Sequence, residues 1–201
     1  MKILLTAFEP FGGEKINAAQ EAAALIKEEI AGAKIVKMTV PVVFGKSIEA
    51  VVSAMRDERP DAVLCLGQAG GRMGLTPERV AINLDDARIP DNEGNQPVDQ
   101  TIYPDGAPAY FSTLPVKAMV RAIQEAVVPA SLSNTAGTFV CNHLMYGILY
   151  HMARYWPEMR GGFMHLPFLP EQVQDRPGMP NLSREAMAAG IEAAIKAMIE
   201  E

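Results

Sequence analysis

The sequence predicts an α/β fold, a three-layer α/β/α sandwich around a twisted, mostly parallel mixed sheet, and three observations lead there. Short apolar strand-like runs alternate with longer segments of helical periodicity along most of the chain. The strands are apolar enough to be buried on both faces, which is the mark of a sheet covered by helices on both sides. Finally, 201 residues at 49% hydrophobic can bury a full core, so one domain over residues 1–201 is expected.

The elements follow in order. Lys2–Phe8 reads as a strand that empties into a loop carrying Pro10, Gly12 and Gly13. Residues 18–30 read as an amphipathic helix with Asn17 as its N-cap, because a side-chain oxygen there can take an otherwise orphaned N–H. Residues 34–40 form a second strand, Lys46–Glu58 a helix, and residues 62–67 a third strand leading to the glycine-rich stretch Gly67-Gln68-Ala69-Gly70-Gly71. Residues 115–125 make a helix whose proline sits in the first turn, where the missing N–H costs nothing. A strand at 131–134, a helix at 142–155, a strand at 161–166 and a closing helix at 183–199 complete the alternation.

Two regions break the rhythm. Residues 82–110 carry Asp85-Asp86, Pro90 to Asn95, Pro97 and Pro104-Asp105-Gly106, too many turn formers for regular elements. Scattered Ile89, Val98, Ile102 and Tyr103 indicate that this excursion packs rather than hangs free. Residues 171–184 are proline-rich and read as a second loop.

Composition narrows the function. The balance of 18 Lys+Arg against 24 Asp+Glu gives a charge of −6 with no basic run, which argues against nucleic acid and anionic membrane surfaces as partners. No apolar run approaches the roughly 18–20 residues that span a bilayer, and a Glu-Pro-Phe-Gly-Gly turn follows the first strand too soon for a signal peptide. A soluble, cytoplasmic protein is expected.

The two cysteines do not make a disulfide framework. Cys65, inside Ala62-Val63-Leu64-Cys65-Leu66-Gly67, reads as a small buried strand residue. Cys141 differs, because Ser133 to Thr138 is a small-residue loop that delivers it onto the start of an apolar helix. Unpaired N–H groups, the helix dipole and a nearby imidazole favour thiolate, and together can carry a thiol from ~8.5 toward ~3.5–7.5. Of the three histidines, His143 and His151 lie on the helix that Cys141 opens, with His143 turned to another side. His165, near the end of the strand Gly162-Phe163-Met164-His165-Leu166, could approach the thiol from a sheet edge. A base of this kind is usually oriented by a carboxylate, which spacing alone does not identify.

Four ordered motifs resemble a known family. The run Cys141-Asn142-His143-Leu144-Met145-Tyr146 is similar to the cysteine signature of the type I pyroglutamyl peptidases (pyrrolidone-carboxylate peptidases), bacterial branch. Thr76-Pro77-Glu78-Arg79-Val80-Ala81-Ile82-Asn83-Leu84-Asp85-Asp86-Ala87-Arg88-Ile89-Pro90 resembles the family's glutamate signature. Gly161-Gly162-Phe163-Met164-His165-Leu166-Pro167 resembles its histidine segment, and Phe8-Glu9-Pro10-Phe11-Gly12-Gly13 its first loop.

The resemblance implies a cysteine peptidase that hydrolyses the bond after an N-terminal pyroglutamyl residue, with no metal or organic cofactor, assembled as a homotetramer. It implies Cys141 as nucleophile, His165 as general base then acid, and Glu78 as the group that orients the imidazole. Phe8, Phe11, Ile89, Phe139 and Val140 would line the lactam pocket, Gln68 would meet its polar edge, and Arg88 would add positive charge near the thiol. One departure stands out: where the family commonly carries Asn-Pro-Ser or Asn-Pro-Thr, this chain has Asn17-Ala18-Ala19, which touches capping and loop rigidity. Two other readings compete. Residues 67–74 could cradle an anion in a nucleoside or phosphate enzyme, although no G-x-x-x-x-G-K-[ST] pattern is present. A catalytically inactive pyroglutamyl-peptide binding protein is the other, and the presence of Cys141, His165 and Glu78 argues against it.

Overall fold

A computed structural model describes all residues from Met1 to Glu201. In chain order the elements are β1 (Lys2–Phe8), α1 (Ala18–Ala24), β2 (Glu29–Ile30), β3 (Ala33–Val40), α2 (Lys46–Glu58), β4 (Ala62–Gln68), β5 (Thr76–Pro77), β6 (Val80–Ile82), β7 (Ala109–Phe111), α3 (Val116–Glu125), α4 (Val140–Tyr155), β8 (Arg160–Leu166) and α5 (Arg184–Glu200). The main sheet has the order β2-β3-β1-β4-β8-β5. Its four central strands run parallel, and the short strands β2 and β5 close the two edges antiparallel.

Side-chain alternation divides the core into two layers. Ile3, Leu5, Ala7, Leu64, Leu66 and Met164 face α1, α3 and α5, while Leu4, Phe8, Val63, Cys65 and Phe163 face α2 and α4. The expected sandwich is therefore present. It matters for chemistry that β1, β4 and β8 end on the same side of the sheet, with Gly67 of β4 opposite His165 of β8.

The helix expected at 18–30 is shorter. It ends at Ala24, and Glu29–Ile30 pairs with β3 through a tight turn in which Ala31 and Gly32 have φ of 46° and 78°. Ile26 and Ile30, four residues apart, imitate a helical stripe, but Ile30 is buried by the sheet edge instead. The strand expected at 131–134 is an extended segment beside β5, joined to it by single bridges at Leu75–Ala130 and Glu78–Ser133. Pro77 explains the gap: Ser131 N donates to Leu75 O and Ser133 N to Pro77 O, but Pro77 has no N–H to return.

Both irregular regions pack. Residues 82–110 are fastened by β6 against β7, by the Asp85–Gln100 bridge and by Tyr103, whose ring stacks on Tyr150 at 4.0 Å. The 171–184 loop opens with a 3-10 turn, Pro170–Gln172, and reaches the first loop through Arg176 to Glu14 at 2.8 Å. No helix is long and apolar enough to cross a membrane.

Candidate active site

Cys141 is the second residue of α4, after Phe139 in extended conformation. The first intrahelical bond runs from His143 N to Phe139 O, so the N–H groups of Val140, Cys141 and Asn142 have no partner within the helix. The two residues after the cysteine fix this end of α4. Asn142 accepts from Ile82 N at 2.9 Å and donates to Ile82 O and Leu84 O. His143 bonds Asp85 Oδ2 through Nδ1 at 2.7 Å and accepts from Gly45 N through Nε2 at 2.8 Å. His143 is thus held away from the thiol in the neutral tautomer protonated on Nδ1.

The facing wall comes from β8. His165 is buried, and its Nδ1 makes a 2.7 Å bond to Oε1 of Glu78, which is fully buried. Glu78 is aligned there by its own backbone, since its N–H donates to Phe163 O at 2.8 Å. A bond at Nδ1 turns Nε2 outward as the nitrogen available for proton transfer. Between the two walls lies Gly67, beside His165 in the sheet. A Cβ there would stand 3.0 Å from Cys141 Sγ and 2.7 Å from Phe163 Cζ, so the absence of a side chain makes room for the thiol.

Cys141 and His165 share a cavity of about 250 Å³ with Phe11, Gln68, Arg88, Ile89 and Phe139, and with Asp86, Ala136 and Thr138. It lies beyond the carboxyl ends of the parallel strands, where α/β sheets bind ligands. A larger cleft of about 500 Å³, lined by Met55, Arg59 and Trp156 among others, opens near the amino ends of β4 and β8 and contains neither thiol nor imidazole. The chemistry belongs to the smaller one.

A family model described as Pyroglutamyl peptidase matches residues 1–201. The chain belongs to the pyroglutamyl peptidase family. Pyrrolidone-carboxylate peptidase of Streptococcus suis is 58% identical over 200 residues, covering 100% of this chain and 93% of the relative. That of Staphylococcus carnosus is 56% identical over 201 residues, covering 100% and 94%. The crystal structure of Bacillus amyloliquefaciens pyroglutamyl peptidase I superposes with a TM-score of 0.95 at 46% identity, covering 100% of this chain and 97% of that one.

Two residues expected in the pocket, Phe8 and Val140, are not among those that line the cavity. Phe8 ends β1 with its side chain on the α2–α4 face, packed against Phe163 at 6.3 Å between ring centroids. Val140 is fully buried in the same layer, because the first turn of α4 points it at the sheet while Cys141 faces the cavity. Phe11 and Phe139 do form a wall, 6.1 Å apart between ring centroids, and Phe44 backs Phe139 edge-on at 5.5 Å.

The Asn17-Ala18-Ala19 departure is used by the fold. Asn17 Oδ1 accepts from Ala19 N at 2.9 Å and its Nδ2 donates to Glu9 O, capping α1 and tying down the first loop. Ala18 N donates to Gln68 Oε1 at 2.7 Å, a bond a proline at position 18 could not make. With its oxygen taken, Gln68 offers its amide N–H groups to the cavity. In the glycine-rich loop, any side chain at Gly70 would strike the Phe168 ring and any at Gly74 the carbonyl of Pro129, so these two glycines serve close packing, while Gly71 takes a φ of 86°.

Burial works against the expected thiolate. Burial pushes the Cys141 thiol up to about 12, the Glu78 carboxylate adding to the rise and Arg72 opposing it. Burial also carries His165 below the ordinary imidazole range, with Glu78 pulling it up and Arg72 helping to lower it. Desolvation disfavours both charged forms and opposes the helix terminus, which favours a neutral thiol beside a neutral imidazole. Two results are expected. The acid limb of kcat/KM should fall below the usual imidazole value of ~6.5, because a depressed His165 stays neutral, and competent as a base, to lower pH. Alkylation of Cys141 by iodoacetamide should be slow at neutral pH and accelerate in alkali. An acid limb at or above the ordinary imidazole value would contradict this assignment.

The sequence did not single out Arg72. Its Nη2 lies 3.0 Å from Glu78 Oε1, the same oxygen that holds His165. The available signal was its placement directly after a glycine-rich turn that leads into the glutamate motif.

Proposed function

We propose that this chain removes an N-terminal pyroglutamyl residue from peptides, with Cys141 as nucleophile, His165 as general base then acid, and Glu78 as the group that orients the imidazole. The observation that carries the reading is the 2.7 Å Glu78–His165 bond at the wall of the cavity that Cys141 also lines. The thiol proton passes to His165 Nε2 as Sγ attacks the α-carbonyl of the pyroglutamyl residue, since burial favours the neutral thiol. The tetrahedral oxyanion forms beside the unpartnered N–H groups that open α4, Cys141 N–H among them, with the Arg88 guanidinium at the same cavity. His165 returns the proton to the leaving amine, and water then hydrolyses the thioester to release pyroglutamate.

Specificity follows from what the cavity lacks as well as from what it holds. At about 250 Å³ it falls below the roughly 300–1,000 Å³ of drug-sized sites, which suits a single small ring. Phe11, Ile89 and Phe139 offer apolar walls, and Gln68 an amide donor for a lactam carbonyl. Residues 1–201 act as one domain, and the working form is a homotetramer in the cytoplasm without metal or organic cofactor.

The test is hydrolysis of pyroglutamyl-aminomethylcoumarin compared with the prolyl, glutamyl and alanyl derivatives, with and without iodoacetamide under reducing conditions. Turnover of the lactam substrate alone, abolished by alkylation, is expected. Equal turnover of the prolyl derivative would refute the lactam pocket, and turnover that survives alkylation of Cys141 would refute thiol chemistry.

A further inference from the structure

Glu78 is fully buried, and its two oxygens are unequal. Oε1 receives His165 Nδ1 at 2.7 Å and Arg72 Nη2 at 3.0 Å, whereas Oε2 is buried with no hydrogen-bond partner. Everything that stabilises this carboxylate from side chains therefore converges on one atom. A neutral imidazole donating one hydrogen bond does not balance the charge of a buried carboxylate. Arg72 supplies the missing charge. The guanidinium is itself built in, with Nη1 donating to Thr76 Oγ1 at 2.8 Å and Nη2 to Thr135 O at 3.2 Å. One side chain thus joins the turn after β4, strand β5 and the loop that leads into α4.

We propose that Arg72 is a positioning residue for the Glu78–His165 pair, its guanidinium aiming the carboxylate and offsetting the negative charge that the imidazole and thiol would otherwise face. The proposal rests on the peptidase reading above and adds a residue to it. Without Arg72, the uncompensated charge of Glu78 holds a proton on the imidazole, which then cannot act as base. That moves activity to higher pH. Burial is the larger influence on His165 and Cys141, and on each of them Arg72 pushes downward.

The experiment compares the parent chain with Arg72→Gln and Arg72→Lys. Three readouts are taken: thermal melting, the pH profile of kcat/KM on pyroglutamyl-aminomethylcoumarin, and the pH profile of Cys141 carbamidomethylation by iodoacetamide followed on the Cys141 peptide by mass spectrometry. In Arg72→Gln, kcat should fall about 10–100-fold, the range that follows loss of an outer partner of a metal-ligating histidine, and both profiles should move to higher pH. Arg72→Lys keeps the charge and should keep both midpoints near the parent's. Unmoved midpoints in Arg72→Gln, or equal shifts in both variants, overturn the proposal. So does failure of Arg72→Gln to fold, which would make the guanidinium a strut of the loop. Because alkylation needs no substrate, an inactive parent would defeat the peptidase reading while the thiol profiles still judged Arg72.

Discussion

Cys141→Ala is expected to abolish turnover of pyroglutamyl substrates while leaving the melting temperature and the affinity for an uncleaved pyroglutamyl peptide nearly unchanged. The loss should be at least about 10⁴-fold, because no other group can form the acyl intermediate and the remainder of the constellation has nothing to activate. Stability should hold for a structural reason. Sγ projects over Gly67 into a cavity rather than into packed core, so removing it leaves no buried void. The first turn of α4 keeps its anchors, Asn142 on Ile82 and Leu84 and His143 on Asp85 and Gly45. Cys65 offers no substitute nucleophile, since it is fully buried in β4 and burial pushes its thiol up to about 12. Steady-state rates, calorimetry and binding of the uncleaved peptide together check this. Residual activity within a hundredfold of the parent would remove Cys141 from the mechanism.

How much of this was legible beforehand differs from residue to residue. Cys141 could be found from its place at a loop-to-helix junction, and His165 from its place near a strand end, because both positions follow from local sequence pattern. Glu78 could not. Its role depends on Ser133 and Phe163 holding its backbone, contacts 55 and 85 residues away in sequence, and local pattern carries no information about them. The family motifs supplied it instead. Phe8 and Val140 are adjacent to site segments and belong to the packed layer on the face that carries Gly67 and His165, where local pattern does not separate a cavity wall from the core behind it. Arg72 escaped notice because an arginine after a glycine turn ordinarily belongs to solvent, and only the fold brings a buried carboxylate to it.

The fold errors share a cause. Ile26 and Ile30 satisfy helical spacing, yet the tight turn at Ala31 and Gly32 sends the chain back along β3 and gives Ile30 its burial at the sheet edge. At 131–134 the chain does run beside β5, and the ladder breaks where its partner strand contains Pro77. In both places the local conformation was constrained by sequence and the pairing was decided by the neighbour. The site tolerates neither kind of slip, because β4 and β8 must stay in the register that sets Gly67 against His165.

Glu78→Gln is the second large effect, and the Arg72 contact sets its size. Where the orienting carboxylate of a hydrolase triad is replaced by an amide, losses near ~10⁴-fold arise because the amide can turn its NH₂ toward the histidine and stabilise the wrong tautomer. Here the Arg72 guanidinium stands 3.0 Å from Oε1, beside the 2.7 Å His165 bond, so turning the NH₂ of a glutamine inward would set it against that cation. The correct tautomer should therefore survive, and what disappears is the charge that stabilises the imidazolium as the thiol proton arrives. The expected loss is roughly 10²–10³ in kcat, below both the amide precedent and Cys141→Ala. The acid limb should also move to lower pH, since burial continues to depress His165 while the opposing pull of the carboxylate is gone. Rates across pH for Glu78→Gln, set beside the Arg72→Gln variant, make the directions opposite: the limb falls when the carboxylate is neutralised and rises when the guanidinium is. Movement in the same direction would mean that the two side chains do not act on His165 as a compensating pair.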